Sequence, residues 1–117
     1  MELIDMKRVQ EVLDQFKNKP VYIHLETTNG SYASHFDNKG VNVGAYIRNA
    51  RVTFNQAKIV QSDNVLRVGL KIDMGWIYAE GVSHWEMYEE TKLLLAGHDE
   101  FGRLRVALQI SETPFKH

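Results

Sequence analysis

Two histidines and two carboxylates flank an Asn-Gly dipeptide at 29–30, at spacings that could bring them together. Asn-Gly is typical of a two-residue type I′ turn, so we predict a hairpin of about 20–28 with 31–37. In that register His24 lies opposite His35, with Cβ atoms about 4.5–5.5 Å apart. Two imidazoles at that distance, with carboxylates nearby, could bind a divalent metal ion or relay protons. The residues on this face are the candidates for catalysis, and its two histidines are the candidates for metal binding: His24, Glu26, His35 and Asp37.

The same residues would also suit an exposed face that has no catalytic or metal-binding role. The exposed side of a hairpin is where His, Glu and Asp are found when they are simply hydrated, and the chain contains no HExxH metal signature. A slip of one residue in the strand register would also move the two histidines apart. We therefore expect no cofactor, with a divalent metal at His24 and His35 as the open alternative.

Aromatic residues are concentrated between positions 76 and 88. Such a cluster could line a ligand pocket or anchor a protein interface, whereas its simplest role is to pack a β core. The ligand or interface candidates are Trp76, Tyr78, His84, Trp85 and Tyr88.

Basic residues alternate with apolar ones on two predicted strands, at Arg67 and Lys71 and at Arg103 and Arg105. If these strands were neighbours, they would form a basic stripe like those of barrels that bind single-stranded nucleic acid. The formal net charge of -1 gives the chain no global attraction to nucleic acid, so such binding would depend on a local basic patch.

The elements that must position these residues follow from hydrophobic periodicity. Apolar residues recur at spacings of three and four over 5–17, with Asp5 as a capping residue, which predicts an N-terminal helix. From Val21 onward the period becomes two, with slips between 45 and 59 that indicate bulges. Segment 91–96 is predicted to form a strand in a hairpin with 104–110, and 84–90 is left open between helix and strand. We predict a single domain over 1–117, mainly β, an antiparallel barrel or sandwich of about 7–8 strands with one N-terminal α-helix.

Composition narrows the function class. The 117 residues contain no cysteine, which excludes disulfides, thiolate metal sites and thiol nucleophiles and fits a reducing cytosol. We expect a cytoplasmic protein without a signal peptide or membrane span. The chain also lacks the GxSxG, GxxxxGK[ST] and GxGxxG motifs of hydrolases, phosphate loops and dinucleotide-binding folds.

Segments 44–54 (GAYIRNARVTF) and 93–111 (LLLAGHDEFGRLRVALQIS), together with the helix-first layout, resemble the YojF-like family of small uncharacterised proteins from Bacillus and its relatives. These segments are not active-site signatures, so no catalytic residues carry over. The resemblance implies a cytosolic bacterial protein of unknown function. It also implies a possible partner, because genes of this family often lie beside a deacetylase of the low-molecular-weight-thiol pathway.

Three function classes remain open on the sequence. The leading hypothesis is a non-enzymatic accessory or interaction protein that self-associates through a β face with exposed aromatics. The first alternative is a small-ligand or metal-dependent enzyme that uses His24 and its neighbours, and the second is a barrel that binds single-stranded nucleic acid.

Overall fold

A computed structural model describes residues 1–28 and 44–116 and shows a mainly β structure with one helix. Helix α1 spans Met6–Gln15, and the Asp5 side chain caps it by accepting from two backbone N–H groups of the first turn. The N-terminal helix is therefore confirmed. The nine strands within the described residues are β1 (Glu2–Leu3), β2 (Val21–Thr28), β3 (Gly44–Val52), β4 (Gln56–Ser62), β5 (Val65–Lys71), β6 (Trp76–Val82), β7 (His84–Tyr88), β8 (Lys92–His98) and β9 (Leu104–Ser111).

The strands form two antiparallel sheets. The larger sheet has the order β1-β7-β8-β9-β2-β3, and the smaller has the order β4-β5-β6. Within the described residues the two sheets do not close into a barrel by strand pairing. Segment 84–90, left open on the sequence, contains strand β7, and the predicted hairpin of 91–96 with 104–110 is confirmed as β8 and β9.

A continuous apolar core lies between the two sheets and α1. The alternate, inward-facing residues of β2, β5, β8 and β9 supply most of it, and α1 adds Val9 and Leu13, with Phe16 at its C-cap. The clean two-residue period of β5 and β9 thus marks core strands, as predicted. No helix among residues 1–28 and 44–116 is long and apolar enough to cross a bilayer.

The chain passes from the small sheet to the large one at a bend between β6 and β7. Gly81, near the end of β6, has a positive φ of 94°, and the backbone of Ser83 joins the large sheet by donating to the carbonyl of Ala96 at 2.8 Å. Side chains before the bend therefore belong to the faces of the small sheet, and side chains after it belong to the faces of the large sheet. This bend decides where the aromatic residues of 76–88 lie.

Gln10 of α1 closes the outer edge of β4. Its side-chain Nε2 donates to the carbonyl of Ala57 at 2.7 Å, and its Oε1 accepts from the backbone N–H of Ile59 at 3.0 Å. The amide thus makes the pair of bonds that a neighbouring strand would make, which protects an edge strand from pairing with other chains.

Removal of this amide is expected to destabilise the protein. Gln10→Ala leaves two half-covered backbone groups of β4 without a protein partner, so we expect a loss of about 1–3 kcal/mol in the free energy of unfolding, measured by urea denaturation. Gln15→Ala, the same substitution at an exposed position of α1, is the control and should change it by less than about 0.5 kcal/mol. Equal effects of the two substitutions would contradict the edge-capping role.

Candidate functional site

His24 lies opposite different residues from those predicted. Both edges of β2 are paired, so that His24 faces Arg48 of β3 on one side and Gln109 of β9 on the other. Arg48 and Gln109 therefore take the two positions beside His24 in the sheet, and the predicted hairpin partner of β2, 31–37, lies outside the described residues. His35 and Asp37 lie outside the described residues. Glu26 shares the outer face of the large sheet with His24 and pairs with Tyr46.

The imidazole of His24 is buried, with 5% of the residue exposed, although it lies on the outer face. Phe115 of the C-terminal segment and Tyr46 of β3 cover it. The centre of the Phe115 ring lies 6.4 Å from that of the imidazole and the centre of the Tyr46 ring 5.3 Å from it, both edge-on. Arg48 Nη1 lies 3.3 Å from His24 Nδ1, and because a guanidinium only donates, Nδ1 is the acceptor. A metal ion would have to displace Arg48 to reach that nitrogen.

A bulge in β3 fastens the C-terminal segment, which we call the strap (residues 112–116). Asn49 occupies the bulge with a φ of 62°, and its side-chain amide both donates to the Phe115 carbonyl at 2.8 Å and accepts from the Phe115 N–H at 2.7 Å. Arg48 donates from Nε and Nη2 to the carbonyl of Lys116, and its guanidinium lies 5.0 Å from the centre of the Phe115 ring. The cluster around His24 therefore holds the strap on the sheet.

Burial lowers the pKa of His24, and the charge of Arg48 lowers it further, whereas Glu26 acts in the opposite direction. A lowered pKa in the folded state means that the unfolded chain binds the proton more readily. The contribution of His24 to stability is therefore complete above its unfolded pKa of about 6.5 and is lost as the pH falls through the lower folded value.

We expect this dependence to disappear in His24→Asn, whose side-chain oxygen can still accept from Arg48 but does not titrate. Between about pH 8 and about pH 5.5, wild-type protein should lose more unfolding free energy than the variant, as measured by urea denaturation. The other histidines are common to both proteins and cancel in the comparison. Parallel pH profiles would show that His24 is not held neutral.

The predicted aromatic cluster is divided by the bend at Gly81. Trp85 points into the core and is covered by α1, with the Arg8 guanidinium 5.6 Å from its ring. His84 lies on the outer face of the large sheet, where its ring meets that of His98 at 5.9 Å, and Tyr88 lies at the far end of β7. Within the described residues, no three His, Asp or Glu side chains are grouped closely enough to hold a metal ion.

Trp76 and Tyr78 remain together on the outer face of the small sheet. Their rings are parallel within 6°, with centroids 5.7 Å apart, and the residues are 38% and 50% exposed. The Arg67 guanidinium lies 5.3 Å from the centre of the Tyr78 ring. Gly69 leaves room beneath the rings, since a Cβ there would lie 2.9 Å from a carbon of Tyr78.

Strand register adds two more cations to this surface. Lys58 and Gly69 are paired and Gly69 pairs with Tyr78, while Lys71 pairs with Trp76. We call the surface the aromatic–basic face, and it consists of Lys58, Arg67, Lys71, Trp76 and Tyr78. Arg103 and Arg105 do not extend it, because β5 and β9 belong to different sheets. The condition on which a single basic stripe depended, that these two strands are neighbours, is therefore not met.

The comparisons with known proteins agree with this architecture. The family model described as "Protein of unknown function (DUF1806)" matches residues 3–115. The chain belongs to this family. It is 52% identical over 115 residues to "Uncharacterized protein YojF" of Bacillus subtilis (strain 168), covering 98% of each chain, so the resemblance seen in the sequence is confirmed. The crystal structure of Bacillus subtilis YojF protein superposes with a TM-score of 0.79 at 45% identity, over 99% of this chain and 97% of that one.

Proposed function

We propose that the protein is a non-enzymatic accessory protein of the cytosol that binds an acidic surface of a protein partner through the aromatic–basic face. The observation that carries the proposal is the exposed, stacked pair of Trp76 and Tyr78 with the Arg67 guanidinium over the Tyr78 ring. Trp, Tyr and Arg are the residues that most often dominate binding energy at interfaces. Because the rings stack on each other and Arg67 packs against Tyr78, they lose little freedom on binding.

Charge favours an acidic partner over a second copy of the chain. The face has three cationic side chains and one neighbouring carboxylate, Glu80, which pairs with Arg67 across the strands. Two such faces packed against each other would bring like charges together, which is costly at an interface. Self-association, the arrangement predicted from the sequence, is therefore the alternative outcome of the experiment.

The first partner to test is the low-molecular-weight-thiol deacetylase that the family resemblance implies. Calorimetric titration should give a saturable complex that weakens as salt is raised, because exposed charges contribute to it. Arg67→Glu should weaken the complex at least about tenfold. Lys7→Glu, a matched charge reversal on exposed α1, should leave it unchanged.

Three results would contradict the proposal. They are the absence of a complex, a complex equally sensitive to Lys7→Glu, and a stable homodimer that Arg67→Glu disrupts, detected by light scattering of the protein alone. A salt-dependent complex with single-stranded oligonucleotides, lost in Arg67→Glu, would instead favour the nucleic-acid alternative.

A further inference from the structure

A groove runs along the outer face of the large sheet, beside the strap. It has a volume of about 550 Å³, within the range of small-molecule sites. Leu94 of β8 and Gln109 of β9 are paired in the sheet and form part of its floor. The remaining lining residues are Tyr88, Glu89 and Lys92 on one side and Pro114, Phe115 and Lys116 on the other.

The β7–β8 side of the groove has a fixed cation. The side chain of Lys92 is 22% exposed, and its Nζ lies 5.5 Å from the centre of the Tyr88 ring. Its carboxylate partner, Glu89, is 3.5 Å away and largely exposed, which is a weak ion pair. With Lys116 in the opposite wall, the lining has two cationic residues and one anionic residue, in a chain whose net charge is -1.

The rest of the lining is suited to an apolar body. Leu94, Pro114 and Phe115 supply aliphatic and aromatic surface, and Gln109 adds a neutral amide. A few polar groups among apolar ones are the usual composition of a site that orients a small molecule.

We infer that this groove binds a small amphipathic anion, with a carboxylate or sulfonate group near Lys92 and an aromatic or aliphatic body against Leu94 and the strap. The site is separate from the aromatic–basic face, since the two lie on different sheets. The strap builds one wall, so the bonds between Asn49 and Phe115 hold the site together.

The probe is 8-anilinonaphthalene-1-sulfonate, titrated by fluorescence against the full-length protein, with N-phenyl-1-naphthylamine as its neutral analogue. The sulfonate should bind at one saturable site, at least about tenfold more tightly than the neutral analogue, because a charged contact is lost with the sulfonate. Lys92→Met, which keeps the aliphatic stem, should weaken the sulfonate about tenfold without affecting the neutral analogue.

Two further variants keep the result interpretable. Glu89→Gln removes the carboxylate that competes with the sulfonate for Lys92 and should tighten sulfonate binding several-fold. Because this variant does not change Lys92, it tests the inference even if Lys92→Met destabilises the fold. Lys7→Met, at an exposed lysine of α1 outside both proposed sites, is the matched control and should leave binding unchanged. Binding that is insensitive to both Lys92→Met and Glu89→Gln, or that is lost in Lys7→Met, would overturn the inference. Failure of deacetylase binding would not affect it, because Lys92 lies outside the aromatic–basic face.

Discussion

Gly97→Ala is expected to destabilise the protein by about 4 kcal/mol or more, or to prevent folding. A Cβ on Gly97 would lie 1.9 Å from the carbonyl oxygen of Gly81 and 2.8 Å from its carbonyl carbon. Both are backbone atoms of the bend where the chain passes between the two sheets. No rotation of a side chain can relieve the contact, so the strands would have to separate and disrupt the buried core.

Urea denaturation measures this loss, and Gly75→Ala is the control. A Cβ at Gly75 meets nothing within 4 Å, so this variant should stay within about 1 kcal/mol of wild type. A Gly97→Ala protein as stable as the Gly75→Ala protein would show that β6 and β8 do not approach each other as described.

Phe115→Ala is expected to cost about 3 kcal/mol of unfolding free energy. Only 8% of Phe115 is exposed, and its ring contacts the guanidinium of Arg48 and the imidazole of His24. Its loss leaves a gap above His24 that the strap, bonded through its backbone to Asn49, cannot readily fill.

Lys116→Ala provides the comparison for Phe115→Ala. The carbonyl of residue 116, which accepts from Arg48, remains in that variant, so the change should be below about 0.5 kcal/mol. If both substitutions had equally small effects in urea denaturation, the strap would not be a packed part of the fold.

Local patterns predicted the elements whose signals lie within a few residues. Asp5 begins α1, and the strict alternation of β5 and β9 marks core strands, because capping and periodicity depend on near neighbours. The slip in period after position 45 indicated a bulge, and the structure has one at Asn49. Asn is depleted in β-strands, so Asn49 within a predicted strand was the one residue whose type could have pointed to the contact with the strap.

Pairing between distant segments could not be predicted in this way. The Asn-Gly signal favours a partner for β2 that begins two residues after it, whereas β2 pairs with β3, which begins at Gly44, and with β9, 79 to 89 positions along the chain. The aromatic residues of 76–88 are close in sequence, but the bend at Gly81 directs Trp85 into the core and leaves Trp76 and Tyr78 outside. The groove beside the strap was missed for the same reason, since its lining comes from β7, β8, β9 and the C-terminal segment.

A matched pair of tyrosine variants tests the proposed interface most directly. Tyr78 and Tyr88 are 50% and 48% exposed, yet only Tyr78 belongs to the aromatic–basic face. Calorimetric titration of the deacetylase should show at least about tenfold weaker binding to Tyr78→Ala and unchanged binding to Tyr88→Ala. Equal affinities for the two variants, or no heat of binding with wild-type protein, would contradict the account.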